Sequence, residues 1–186
     1  MLPGDLILIS PLAPTFSQRA IQRTQEQGGY HPEDSRWTHA SVYLGSDFDI
    51  CEATVWKGVH RASLLDSVAS HQVRVRRLGG LDSGTRWKIA LAAALEIGRR
   101  YGLLSALKIA LRARAGLHQP QETKTQSAAA VICSELFADS VLAATGQTLQ
   151  WNHTGKEVSP AFLSFVPELT DVPLEWRKIP SRPNLC

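Results

Sequence analysis

Three residues of this chain could together break an acyl bond: Cys133, His39 and Glu52. A cysteine attacks carbon only as its thiolate, and Cys133 falls in the first turn of a helix read over about residues 128–144. The positive end of the helix dipole favours thiolate over thiol there. Such a nucleophile needs a base held on a rigid element, and of the six histidines His39, on the polar face of an alternating strand, is the best placed. Glu52, in the next strand across a short hairpin, can accept a hydrogen bond from the second imidazole nitrogen and fix its tautomer. Cys133 would then attack an acyl carbon while His39 takes and returns the proton and Glu52 orients His39. Each residue also has a plain structural reading. Cys133 could be a small buried hydrophobe, His39 a satisfied sheet histidine, and Glu52 an exposed strand carboxylate or ion-pair partner.

The elements that must hold these groups follow from the apolar pattern. Leu6 to Ile9, entered through Pro3-Gly4-Asp5 and ended by Ser10-Pro11, reads as a buried strand. Residues 16–27 read as a helix and 28–36 as a polar turn region. Residues 38–44 alternate and run into Gly45-Ser46-Asp47, a hairpin signal, followed by a strand at 49–55. Alternation puts His39, Ser41 and Tyr43 on one face and Ala40, Val42 and Leu44 on the other. A further strand is expected at 73–78, and then the pattern turns helical over 86–100 and 103–115, with Gly102 between them. Leu104, Leu107 and Leu111 make a core-facing stripe, and 116–127 is a polar connector, either mobile or part of a substrate lid. In the helix at 128–144, Leu136, Phe137, Ser140, Val141 and Ala144 share a face with Cys133. Gly146 is its C-cap, and Ser159-Pro160 opens a last short helix ending at Phe165.

Composition bounds the rest. A chain of 186 residues that is 44% hydrophobic is read as one globular domain whose core needs no metal or disulfide. Twenty Lys and Arg against seventeen Asp and Glu leave a net charge of +3 with scattered basic residues, which disfavours nucleic acid. Three cysteines without a C-x-x-C pair fit neither a disulfide framework nor a zinc site. No metal and no cofactor are expected. Cys51 points away from Glu52 into the core, and Cys186 is incidental. His31, His60, His71, His118 and His153 read as surface histidines, and Lys108, Arg112 and Arg114 as a solvated helix face. Trp56, Trp87, Trp151 and Trp176 read as packing or rim aromatics, whereas Trp37, close to His39, is expected to border the cleft. The start lacks a basic n-region and Asp5 interrupts its apolar run, so synthesis in the cytoplasm without a signal peptide is expected. No stretch reaches the roughly 20 apolar residues of a membrane-spanning helix.

The segments W-T-H-A-S-V-Y-L-G, I-C-E-A-T and I-C-S-E-L-F-A-D, with the opening P-G-D-L-I-L-I-S, resemble the circularly permuted papain-like branch of the NlpC-type cysteine peptidase superfamily, the YiiX-like proteins. The resemblance spans roughly residues 3–145, and its order of His39, Glu52, Cys133 is that family's order. It implies an α+β fold with an antiparallel sheet packed against helices and the nucleophile at a helix N-terminus. Tyr101 is similar to a tyrosine lining the site in relatives, and either Tyr101 or Ser41 could assist the Cys133 backbone N–H in holding an oxyanion. Residues 146–186, including W-N-H-T-G-K and F-V-P-E-L, match no motif of the family and are read as a C-terminal extension of the single domain.

The resemblance implies hydrolysis of an amide or ester. A peptidoglycan amidase or endopeptidase is the first expectation, with delivery to a target cell's periplasm by a specialised secretion system, as an antibacterial effector with an immunity partner. The alternatives are a lipid acyl hydrolase or acyltransferase using the same three residues, and a noncatalytic binding module of the same fold.

Overall fold

The computed structural model describes residues 1–101, 130–149 and 158–174. The helix expected at 103–115 with its Gly102 boundary, the connector 116–127, and Lys108, Arg112, Arg114, His118, Trp151, His153, Trp176 and Cys186 lie outside the described residues. The body is α+β. Its six-stranded antiparallel sheet runs in the order β4-β3-β2-β1-β5-β8, where β1 is Leu6–Pro11, β2 His39–Tyr43, β3 Asp49–Thr54, β4 Gly58–Ser63, β5 His71–Leu78 and β8 Leu169–Val172. Two further short strands, β6 (Arg100–Tyr101) and β7 (Ala130–Val131), pair in parallel.

β1 is apolar on both faces because both faces are covered. Leu6 and Leu8 join Ala40, Val42, Cys51 and Ala53 in the larger core cluster, against Ile89 and Ala93 of α4 (Ser83–Leu95) and Leu136, Phe137 and Val141 of α5 (Cys133–Thr145). Ile7 and Ile9 face the other way, with Tyr43, Ile50, Val75 and Leu64, the last at the start of α3 (Leu64–Val68). Each such side chain removed fully from water stabilises the fold by about 1.5–3 kcal/mol, so the central strand anchors both layers. Asp5 at its head is fully buried, and its carboxylate accepts from Arg77 at 2.8 and 2.7 Å and from the Leu2 N–H at 2.7 Å.

Helix α1 (Phe16–Gln27) has the expected bounds, with Thr15 as its cap. α4 differs from the helix expected at 86–100. It begins earlier, where the Asp82 carboxylate takes the Thr85 N–H at 2.7 Å, and stops at Leu95. Gly98, at φ 95°, turns the chain so that Arg100 and Tyr101 extend as β6. That strand pairs with Ala130–Val131, which is why α5 starts at Cys133 rather than near 128. α5 ends at Gly146, which takes φ 70° and donates its N–H to the Leu142 carbonyl at 2.8 Å.

The described part of the C-terminal extension is integral to the body. Phe162 and Leu163 of α6 (Pro160–Phe165) belong to the larger core cluster, and β8 completes the sheet. Arg76 on β5 binds this segment by donating to the carbonyls of Leu163, Ser164 and Val166 at 2.9, 2.8 and 3.1 Å, and to that of Leu169. The core therefore does not end at residue 145. Strand β4, α2 (Pro32–Ser35) and α3 carry too few periodic positions to be read from the sequence.

β4 enters the sheet through Gly58, whose φ is 69° and where an added Cβ would strike the Arg99 carbonyl oxygen. Gly58→Ala is expected to lower stability by more than about 1 kcal/mol, whereas Gly79→Ala, with open space around it, should change it by no more than about 0.5 kcal/mol. Urea unfolding midpoints compare the two; equal midpoints would show that the Gly58 turn does not constrain β4.

Candidate active site

Strands β2, β3 and β4 lie side by side with Ser41 opposite Glu52 and Glu52 opposite His60. His39 is two residues before Ser41 and shares its face, so it stands on the diagonal from Glu52, within reach of long side chains. The Glu52 carboxylate uses both oxygens: Oε2 is 2.7 Å from His39 Nε2, and Oε1 is 3.2 Å from His60 Nε2. Because Nε2 of His39 is taken by Glu52, Nδ1 is the nitrogen left for the hydrogen bond that His39 shares with Cys133.

Cys133 is the first residue of α5 and is 8% exposed. The packing of Leu136 and Phe137 seats the helix on the sheet, and the Glu135 carboxylate accepts from the Ile132 N–H at 3.3 Å in the turn before it. The sulfur also receives backbone N–H groups, from Ala40 on β2 and from Ser134 in its own helix.

These contacts decide the protonation of the site. Burial acts to raise the Cys133 thiol, but the His39 hydrogen bond and charge, with the Ala40 and Ser134 N–H groups, outweigh it and hold the thiol below its ordinary value. Burial acts to lower the His39 imidazole, and its bonds and charge contacts with Cys133 and Glu52 reverse this, pushing it up to about 10. Glu52 lies below the usual carboxylate range because burial is outweighed by its bond to His39 and by the charges of His39, His60 and Lys57. All three shifts run in the direction of the charged forms: thiolate, imidazolium and carboxylate.

The three groups open into a cavity of about 310 Å³. Its walls include Ile9, Ala53, Thr54 and His71 from the sheet, Thr38 and Val55 just outside β2 and β3, Gln18 and Ile21 from α1, Ser67 from α3, and Tyr101. Burial, and then the charges of Cys133 and Glu135, raise Tyr101, so its phenol stays protonated and can donate into the cavity.

Of the residues expected at the site, the structure brings together Cys133, His39, Glu52 and Tyr101. Two placements are corrected. Trp37 does not border the cleft: it is 7% exposed within the larger core cluster, its carbonyl held by Gln25 Nε2 at 2.9 Å and its ring covered by the Arg36 guanidinium. Ser41 shares the His39 face but is fully enclosed between β1 and β3, its hydroxyl finds no partner among the described residues, and it does not line the cavity. An oxyanion there is out of its reach.

Two histidines read as surface residues are also corrected. His71 lines the cavity, with Nδ1 bonded at 3.1 Å to the Ser67 carbonyl. His60 stands beside Glu52 as its register partner on β4, a strand that the local pattern does not show. Cys51 is core: its thiol donates to the Ala93 carbonyl at 3.2 Å, and burial followed by the charges of Glu52 and Glu96 pushes it up to about 12. Among the described residues, no group of three or more His, Cys, Asp or Glu is arranged to hold a metal ion.

No protein-family model matches the chain, and no curated protein matches it in sequence. Among solved structures it is similar to the metalloprotein yiiX from Escherichia coli O157:H7, DUF1105, with a TM-score of 0.63 and 20% identity, over 95% of this chain and 98% of that one. The likeness is one of fold, and a YiiX-like fold is compatible with the arrangement described above.

The directions of these shifts set a pH profile for the thiol. Cys133 is expected to alkylate with iodoacetamide well below pH 8, the rate falling only as acid protonates the thiolate. His39→Ala removes the largest opposition to burial, so the profile should move to higher pH and the rate at pH 6 should drop by about tenfold or more. Site-resolved labelling by peptide mass checks this; an unchanged profile in His39→Ala would show that the two side chains are not coupled.

Proposed function

We propose that this protein is a cysteine hydrolase of permuted papain-like, NlpC-type architecture that cleaves an amide or ester through an acyl-enzyme on Cys133. The observation that carries this reading is the hydrogen-bonded chain Cys133, His39, Glu52 opening into a cavity. The Cys133 thiolate adds to the acyl carbon. His39 then gives its proton to the leaving nitrogen or oxygen as the carbon–heteroatom bond breaks, leaving a thioester. Water adds to the thioester with His39 as base, the carbon–sulfur bond breaks, and the acid is released with Cys133 again a thiolate. The developing oxyanion is suited to the Cys133 backbone N–H at the helix N-terminus and to the protonated Tyr101 phenol. Glu52 keeps Nε2 engaged, so Nδ1 stays aimed at sulfur throughout.

No step is routed through a metal. The similar E. coli protein is described as a metalloprotein, but here the described residues form no such ligand group, and His39 Nε2 and both Glu52 oxygens already have partners.

Two acyl classes suit this chemistry. The sequence resemblance ranks the peptide amides of the cell wall first, with delivery to a periplasm and an immunity partner. A specific observation favours the second class, a lipid acyl group: Ile9, Ile21, Ala53 and Val55 give the described cavity an apolar wall beside Cys133.

Hydrolysis of muropeptides is to be compared with that of phospholipid and N-acyl substrates, following released acid or amine. Acyl release from one class that falls about a thousandfold in Cys133→Ala is expected. Equal and negligible turnover by wild type and variant on both classes, with an unreactive thiol, would identify a binding module instead. Expression directed to the periplasm should be toxic for the wild type and harmless for Cys133→Ala; equal toxicity would remove the effector reading.

A further inference from the structure

His60 has a role that the triad does not include. Its Nδ1 is 3.1 Å from the Gly58 carbonyl oxygen, and a carbonyl can only accept, so Nδ1 carries a hydrogen. Its Nε2 is 3.2 Å from Oε1 of Glu52, whose carboxylate is ionised by its bond to His39 and by the charges of its neighbours. The two side chains meet as a close contact at this distance, and His60 is one of the neighbours that hold the Glu52 carboxylate below the usual range. Both side chains are largely buried, at 18% and 15% side-chain exposure, so solvent screens the contact weakly.

We propose that His60 is a positioning residue of the catalytic set, acting through Glu52. It holds Oε1, which leaves the carboxylate one orientation and keeps Oε2 on His39 Nε2. The arrangement is built into the sheet: β2, β3 and β4 are neighbours, Glu52 and His60 are register partners, and Glu52 is the only one of the three that touches both of the others. His60 is itself located by Gly58, whose carbonyl binds Nδ1 and whose own position is limited by the Arg99 carbonyl. Without His60 the carboxylate can turn about its side-chain torsions, and the His39 ring loses the partner that fixes its orientation.

The role rests on the Cys133–His39 pair proposed above, and the test separates the two. Alkylation of Cys133 at pH 6 is measured for the wild type, His39→Ala, His60→Ala, His60→Gln, Glu52→Ala and the double variant Glu52→Ala/His60→Ala, with thermal unfolding of each. His60→Ala is expected to slow labelling by about tenfold in the wild-type background and to add less than about twofold in the Glu52→Ala background. His60→Gln, whose amide can donate to Oε1, should recover most of the rate, which a merely structural loss would not allow. No slowing by His60→Ala, or the same slowing with Glu52 removed, would overturn the role of His60 while leaving the Cys133–His39 pair in place. A rate unaffected by His39→Ala would overturn the pair and, with it, the role of His60.

Discussion

Most of this structure depends on how a buried carboxylate is kept ionised. Removing a charge such as that of Glu52 from water costs several kcal/mol unless partners replace the solvent. Here the partners are two imidazoles, at 2.7 and 3.2 Å, supplied from the strands on either side. That requirement reaches outward through the fold. Three strands must lie adjacent and in one register, which the turns at Gly45 and Gly58 provide, and β2 is paired in turn with β1, whose two apolar faces fasten the sheet to both layers. A register slip of one residue in β3 would turn Glu52 into the apolar cluster around Cys51 and Ala53 and bring Cys51 to the polar side.

Cys133 reaches this carboxylate, through His39, from far along the chain, and the core carries it there. Leu136, Phe137 and Val141 seat α5 on the sheet face opposite to Glu52, so only the start of the helix comes to the end of β2, where His39 and the Ala40 N–H meet the sulfur. The position of the thiol is thus a consequence of where the helix begins. The pairing of Ala130–Val131 with Arg100–Tyr101 sets that start, and the same pairing brings Tyr101 to the cavity wall.

The signals that were legible in the sequence are those carried by local pattern. The alternation around His39, the apolar run of β1, the bounds of α1 and the Ser159-Pro160 start of α6 follow from periodicity and capping chemistry over a few residues. What was not legible depends on pairing between distant segments. β4 has only Val59 and Ala62 as apolar side chains and no alternation to mark it, so the sequence alone reads His60 as a surface residue and only the register with Glu52 places it. The early end of α4 needs the β6–β7 pairing, and Trp37 and Ser41 were misplaced because alternation gives a face without saying what covers it. The extension beyond Gly146 carried no family motif, yet its described part is held by core packing and by Arg76, whose role depends on carbonyls about ninety residues away.

Cys51 and Cys133 show how little the residue type decides by itself. Both thiols are buried and both belong to the larger core cluster. Cys51 sits within a strand, donates to a carbonyl and lies near the negative charges of Glu52 and Glu96, so its surroundings favour the neutral thiol. Cys133 sits at a helix N-terminus, where two backbone N–H groups and an imidazolium point at sulfur, and these reverse the effect of burial. Glu52 takes part in both outcomes. From the neighbouring position in its own strand it disfavours charge on Cys51, and through His39 it supports charge on Cys133. One carboxylate therefore disfavours charge on the first thiol and favours it on the second, because the sheet turns adjacent residues to opposite faces.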